Sequence, residues 1–491
     1  MIYYRILHLA FVVKTARCAN SLIGGLMMVF RSVNNINETN EIDEKIEQEF
    51  NELLESARPS YAIPRAAFDG YRVKRGLREV DGTGVLAGVT RIGSAHGYVV
   101  NEGEKYPVEG VLQYRGYDLS DLINNFVSEN RFGFEETCFL LFFGYLPTKD
   151  ELAEFNELLA AMRRLPPRFT EDIIMKAPSR SIMNKLQSAV ISLYSYDDNP
   201  DDVSLDNMLR QSIEIVSRLP VIAAQSYAVY RNAFFNKSLN LHNPRNDLST
   251  AENFLRVLRS DKKYTEAEAH LLDLCLVIHA EHGGGNCSTF TTRVLSSSGT
   301  DTYSAIAGGI GALKGPRHGG ANLKVQEMFD EIKANVQNPR NDDELLSYLS
   351  KILHKQAGDG SGLIYGMGHA VYTKSDPRAV LLKKFAREQA YEKGYGDDFD
   401  LLESIERLTP DLFREFKGST QEMCANVDMY SGLVYRMLGI PTEMYTPLFT
   451  IARVPGWCAH RMEEYMTSGK IIRPGYKYIS KHRDFKSPSE R

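Results

Sequence analysis

Residues 266–289 read EAEAHLLDLCLVIHAEHGGGNCST. Apolar side chains at 271, 272, 274, 275, 277 and 278 make one broad helical face that only a surrounding core can cover. The helical reading runs from Glu266 to His282, which puts His279 and His282 three apart on one face, with three glycines directly after them. Working outward, the pattern repeats. Glu135 to Phe143 is strongly apolar, and Ile182 to Tyr194 and Ile213 to Phe235 continue the helical spacing. Pro147 to Glu151 reads as a turn followed by a new helix start. Asp301 to Leu313 is apolar but rich in small residues, among them Gly308, Gly309 and Gly311. Each such glycine costs a helix about 1 kcal/mol relative to alanine, and in return admits close approach by a neighbouring backbone.

Strand-like segments are expected between Gly70 and Tyr117, where Gly and Val residues sit between turns. Alternating patterns are nearly absent after residue 117, so the expected class is all-α. Residues 33–56 are polar and acid-rich and read as an arm or surface helix. Residues 335–344 read as a polar connector, and Ser419-Thr420-Gln421-Glu422 resembles a capping box opening the helix that carries Asp428.

At 491 residues, 43% apolar and 25% charged, the chain is long enough for two domains with real cores. A formal net charge of -5 argues against a nucleic-acid-binding body. The six cysteines lie far apart with no CxxC pair, as expected of reduced, packed thiols in a cytoplasmic protein. No stretch is long and apolar enough to predict a membrane span. Residues 1–32 form a non-core extension with Arg5, Lys14, Arg17 and Arg31 among apolar residues. Two readings stay open for it: a transit segment leading to an organellar matrix, or a start assigned too early, with Met27 or Met28 beginning the protein. The second is favoured, because Leu22 to Phe30 carries no clean cleavage signal.

Chemistry concentrates in four short stretches: His282, Gly315-Pro316-Arg317-His318-Gly319-Gly320, Gly366-Met367-Gly368-His369, and Asn426-Val427-Asp428. Pro316 ends or bends one helix, and the glycines strip bulk from around His318 near the start of the next. A helix N-terminus favours the neutral imidazole, which suits donation to a developing oxyanion. His369 sits in a second glycine-permissive turn. Beyond it, Asp376 can cap a helix whose first turn holds Pro377, and Arg378 projects from that start. Asp428 falls in the apolar run from Cys424 to Leu438, read as helical, where an unpaired carboxylate is costly. Neutral donors and one carboxylate base are the equipment for drawing a proton from carbon beside a carbonyl. No HExxH or close His/Cys cluster completes a metal site around His279 and His282, so no metal is expected.

Taken together, His279 to Thr289, the Gly-Pro-x-His-Gly-Gly turn, the Gly-x-Gly-His-Ala-Val-Tyr to Asp-Pro-Arg segment and Asn-Val-Asp resemble the citrate synthase family over roughly residues 65–480. The resemblance implies a two-domain helical fold. A large domain would hold residues 33–319 and 431–491, and a smaller closing domain residues 320–430. It implies that His318, His369 and Asp428 are catalytic. His282, Arg378, Phe449, Arg453 and, across a dimer, Arg473 would bind oxaloacetate. The turn Leu363, Ile364, Tyr365, Gly366, Met367 and Gly368 would meet the adenine part of acetyl-CoA, a cosubstrate rather than a tightly bound cofactor. A homodimer is implied, with hexamers regulated by NADH known among relatives. 2-Methylcitrate synthases share this machinery, so propionyl-CoA is the alternative acyl donor. The chain departs from the family pattern at Glu281, where many members have Asp, and at Gly283, where many have Glu. A catalytically silent helical scaffold or metabolite-binding regulator is the reading from a different class, and the presence of Asp428, His318 and His369 speaks against it.

Overall fold

Thr148, Ser249 and Thr265 each open a helix through a reciprocal capping box with Glu151, Glu252 and Glu268. The computed structural model describes residues 38–490 apart from 69, 80, 81, 103, 419–421 and 468. The expectations for residues 1–32 lie outside the described residues, as do Ser419 to Gln421, and the helix that carries Asp428 is opened by Val427 rather than by a capping box at 419–422. The chain separates into two units, Met1–Leu86 and Ala87–Arg491. In the first, helix α1 (Glu38–Tyr61) is followed by two single-turn helices, Arg65–Phe68 and Arg75–Leu77.

The second unit begins with an antiparallel sheet of β1 (Gly93–Asn101), β2 (Glu104–Tyr114) and β3 (Tyr117–Asp118) in that order. Its register pairs Gly93 with Tyr114 and Asn101 with Glu104. This is the extended region the sequence points to, starting later than Gly70. Helices follow: α2 (Leu119–Ser128), α3 (Phe134–Phe143), α4 (Lys149–Met162), α5 (Ile182–Leu193) and α6 (Leu205–Phe235). Next come α7 (Thr250–Leu258), α8 (Glu266–His279), α9 (Cys287–Ser297), α10 (Thr302–Leu313) and α11 (Ala321–Asn335). The last are α12 (Asp342–Leu353), α13 (Pro377–Glu392), α14 (Gly396–Lys417), α15 (Asp428–Met437) and α16 (Tyr445–Thr467). The fold is mostly helical, and among the described residues no helix is long and apolar enough to cross a membrane.

Helix α16 is the spine of the core. It is buried along most of its length and packs on α3, α6, α8, α9 and α10. The small residues of α10 are explained by these neighbours. A Cβ on Gly308 would fall 2.1 Å from Leu295 Cδ1 of α9, and one on Gly309 only 2.7 Å from Thr292 Oγ1 and 3.1 Å from the Trp457 ring. A second group, α11 to α15, packs within itself, with α15 against α11, α13 and α14.

Two local readings are corrected. Helix α8 stops at His279 with Ala280 as its C-cap, so His282 lies beyond the helix and shares no face with His279. Helix α15 starts at Asp428 rather than running from Cys424. Residues 424–426 make extended backbone hydrogen bonds to the 366–368 turn instead, and a segment whose N–H and C=O groups are taken by another segment cannot join the helix.

Candidate active site

The 366–368 turn and residues 424–426 are stitched together although far apart in the chain. Gly368 N–H donates to the Cys424 carbonyl and Asn426 N–H to the Gly366 carbonyl, both at 2.8 Å, and Asn426 Nδ2 donates to the Gly368 carbonyl at 2.8 Å. Gly366 has φ of 84°, and a Cβ there would lie 3.1 Å from Met429 Cα, so the close approach needs glycine. This stitch brings His369 to the first turn of α15, where Asn426 Oδ1 accepts the Asp428 N–H at 3.0 Å. Burial pushes the Asp428 carboxyl up to about 6, against the pull of Arg378.

His369 is oriented by backbone. The N–H groups of Val371 and Tyr372 approach its Nδ1 at 3.1 and 3.2 Å. Backbone N–H only donates, so Nδ1 accepts and the ring proton sits on Nε2. Arg378 Nη2 lies 3.3 Å from that Nε2. Two donors thus converge on one small volume and suit a single oxygen acceptor between them. The Tyr372 ring stacks on His369 with centroids 4.7 Å apart, and His282 meets both rings edge-on at 5.2 and 5.6 Å.

Arg378 stands at a helix start capped as the sequence suggests, and the structure adds what holds its guanidinium. Asp376 caps α13, Pro377 occupies its first turn, and the guanidinium binds Asp376 through two bonds of 3.0 and 2.8 Å. Arg453 is different. Buried on α16, it donates from Nε to the His279 carbonyl at 2.5 Å and lies 4.8 Å over the Phe449 ring. Its Nη2 and the Nε2 of His282 are both buried with no hydrogen-bond partner among the described residues. Burial lowers the Arg453 pKa to about 10. Burial, seconded by Arg378, holds His282 well below the ordinary imidazole range.

His318 faces the site from the turn before α11. Its Nε2 accepts the backbone N–H of Ser288 at 3.2 Å, with the Ser288 hydroxyl 2.8 Å away. The ring proton is therefore on Nδ1, the opposite nitrogen from His369. Burial, followed by Arg453, lowers its pKa to about 4, so the ring is neutral at pH 7.

His282, His369, Arg378, Asp428, Arg453, Phe449 and His318 thus belong to one connected environment, linked by ring contacts, hydrogen bonds and the shared influence of Arg453. Arg473 does not join it. That residue lies exposed on the tail after α16, where residues 469–487 have no regular structure. In the CoA-side turn, Leu363 is exposed and Ile364 buried, while the Tyr365 hydroxyl donates to Asp359 at 2.7 Å. His279 is a C-terminal helix residue whose Nδ1 is 2.8 Å from the Cys275 carbonyl, and burial lowers its pKa to about 3. Among the described residues, no group of three or more His, Cys, Asp or Glu is placed to hold a metal. The sequence reading did not single out Ser288 or Tyr372, which act on the histidines by backbone and ring contact. Each left a signal only as a member of a longer motif, Ser288 in the run His279 to Thr289 and Tyr372 in the Gly-His-Ala-Val-Tyr run.

Comparison with known proteins gives the family and the fold. Residues 82–475 match the family model described as citrate synthase, C-terminal domain. The chain is 36% identical over 380 residues to a citrate synthase of Corynebacterium glutamicum, covering 75% of this chain and 80% of that protein. A Synechocystis citrate synthase is 34% identical over 378 residues, covering 76% of this chain and 86% of that protein. Among solved structures, citrate synthase from Thermotoga maritima superposes with a TM-score of 0.65 at 30% identity, covering 85% of this chain and 99% of that one. The ternary complex of Thermoplasma acidophilum citrate synthase with carboxymethyl coenzyme A and oxaloacetate gives 0.68 at 25% identity, again covering 85% and 99%. The family match runs from before β1 to beyond α16 and takes in every segment that builds the site: the chain belongs to the citrate synthase family.

Proposed function

We propose that this protein condenses acetyl-CoA with oxaloacetate and water to give citrate and free CoA. The observation that carries the reading is the pairing of a carboxyl poised near 6, Asp428, with two histidines whose ring protons are assigned by backbone donors. Asp428 removes a methyl proton from acetyl-CoA while Nδ1–H of His318 donates to the thioester oxygen, stabilising the enolate. The enolate carbon attacks the ketone carbon of oxaloacetate, whose oxygen accepts from Nε2–H of His369. His282 orients that substrate. Arg378 and Arg453 bind its carboxylates, a geometry suited to planar guanidinium groups, and Phe449 backs Arg453. Water then cleaves the citryl thioester, releasing CoA.

Support for the acyl-CoA side is the turn Leu363 to Gly368, whose backbone approaches α15 closely enough to exclude side chains at Gly366. In this reading residues 320–430 form the smaller domain and close over residues 33–319 and 431–491, excluding water until condensation is complete. A homodimer completes each oxaloacetate site with Arg473 of the partner subunit, which fits an arginine that stands exposed and outside the cluster of its own chain. The deciding experiment measures free CoA release with oxaloacetate and either acetyl-CoA or propionyl-CoA in parallel. A higher kcat/KM for acetyl-CoA is expected. Preference for propionyl-CoA makes the product 2-methylcitrate, and no release from either acyl-CoA by folded protein ends the proposal.

A further inference from the structure

Glu281 is the one fully buried acid beside His282 for which the condensation chemistry has no use. Its side chain and that of His460 are completely enclosed, with His460 Nε2 2.9 Å from Glu281 Oε1. Arg293 Nε donates to His460 Nδ1 at 3.1 Å, so the imidazole proton lies on Nε2 and is given to Glu281. The outer end of this chain is closed by Arg293 on Glu463 and on Glu464, the latter at 2.6 Å. Gly283 N–H also donates to Glu281 Oε1, closing a short turn with His282 at its centre.

The other carboxylate oxygen, Oε2, is buried with no hydrogen-bond partner among the described residues. Room for it is made by glycines. A Cβ on Gly93 would fall 2.7 Å from Glu281 Cγ, and one on Gly456 only 2.5 Å from Oε2. Gly456 lies three residues beyond Arg453 on α16, on the same helical face. The unpartnered oxygen therefore rests against the helix turn that carries the site's unpartnered guanidinium nitrogen, Arg453 Nη2. Electrostatics agree: burial weakens the charge on Arg453 and Glu281 is the foremost group opposing that loss, while His460 and then Arg453 hold Glu281 ionised against its own burial.

We propose that Glu281 is a positioning residue, an internal counter-charge that holds Arg453 in place until a substrate carboxylate takes over, anchored from behind by His460 and Arg293. An unpaired buried charge is costly, and a counter-ion that makes no direct bond leaves the guanidinium's outer nitrogen available to ligand. The hand-over part rests on the reading of Arg453 as an oxaloacetate ligand, whereas the charge pairing does not.

The test is a double-mutant cycle on the full chain, read by thermal unfolding with and without oxaloacetate. Glu281→Gln keeps the shape and removes the charge; Arg453→Met removes the opposite one. Without ligand, the double variant is expected to unfold at a higher temperature than the sum of the two single shifts allows. Additive shifts overturn the pairing. So does a case in which Arg453→Met folds while Glu281→Gln and the double variant do not, since Glu281 is then required for structure rather than charge. If Glu281→Gln alone fails to fold and the double variant folds, the pairing is supported directly. With oxaloacetate, the ligand-induced rise should be larger in Glu281→Gln than in the parent, because the ligand then supplies the counter-charge that Glu281 no longer gives; a purely structural role leaves that rise unchanged and overturns the hand-over. No rise in the parent, with coupling intact, counts against the oxaloacetate reading and leaves the pairing standing.

Discussion

His318 and His369 are two histidines in glycine-flanked turns, yet they present opposite nitrogens. At His318 the first turn of α9 supplies an N–H, from Ser288, to Nε2, so Nδ1 carries the proton. At His369 the chain doubles back and supplies two N–H groups, from Val371 and Tyr372, to Nδ1, so Nε2 carries it. The lesson is that a histidine's working atom is chosen by whichever backbone donor occupies the other nitrogen. One ring is set by a neighbouring helix start, the other by its own loop. Their surroundings differ as well: His318 stands on Ser288, while His369 has the Tyr372 ring stacked on it and the Arg378 guanidinium at its Nε2.

The largest effect is expected where both donors depend on one base. Asp428→Asn should lower kcat by about 10²–10⁴, the usual contribution of a positioned general base. If both histidines alone sustain near-normal condensation in folded variant free of native enzyme, Asp428 is not the base. The same substitution should not weaken the fold. A carboxyl whose pKa is raised to about 6 binds its proton more tightly folded than unfolded, so its charged form opposes folding above that pH. Unfolding of Asp428→Asn at pH 7.5 is therefore expected at the parent temperature or higher. In the parent, kcat/KM should fall as pH drops through about 6, and a flat profile from pH 5 to 8 would detach the base role from this carboxyl.

Substitutions at the two histidines sharpen the comparison directly. His318→Ala should cost about 2.7–4 kcal/mol of transition-state stabilisation, as for loss of an oxyanion donor. Asparagine places an amide N–H near the Nδ1 position and glutamine near Nε2. His318→Asn should therefore retain more activity than His318→Gln, read by exchange of the acetyl-CoA methyl protons with solvent deuterium in the presence of an unreactive oxaloacetate analogue.

At His369 the order should reverse, with His369→Gln above His369→Asn by about tenfold in kcat/KM for oxaloacetate, one hydrogen bond's worth. The same order at both sites would mean that the assigned protons are wrong. The smallest effect is expected from Ser288→Ala, which leaves the backbone N–H in place; a loss within about tenfold corresponds to one neutral hydrogen bond. A loss as deep as that of His318→Ala would show that the hydroxyl, not the backbone, sets the ring.

Much of this molecule is legible in its amino-acid order. The apolar spacing of 271–278 gives α8, and Thr265 with Glu268 marks its start. The small residues of 304–312 announce close packing, and Asp376-Pro377-Arg378 announces a capped helix with an arginine at its start, whose burial only the fold decides. The glycine-flanked histidines single themselves out because glycine permits backbone that other residues resist. These features are local: period, propensity and capping act within a few residues along the chain.

What local pattern misplaces, it misplaces for one reason. The run 424–438 has helical composition, but 424–426 are claimed by hydrogen bonds to 366 and 368, so the helix waits until Asp428. The end of α8 at His279, the backbone partner of His318 and the orphaned Nη2 of Arg453 depend likewise on segments distant in sequence, whereas His369 takes its donors from its own loop. Glu281 reads in sequence only as a departure beside His282. Its enclosure by His460, Gly93 and Gly456 exists only once β1, the 281–283 turn and α16 have come together. The sequence by itself determined which residues could donate, accept or ionise; the tertiary structure decided which atom of each does so, because proton placement and charge pairing follow from neighbours that only folding supplies.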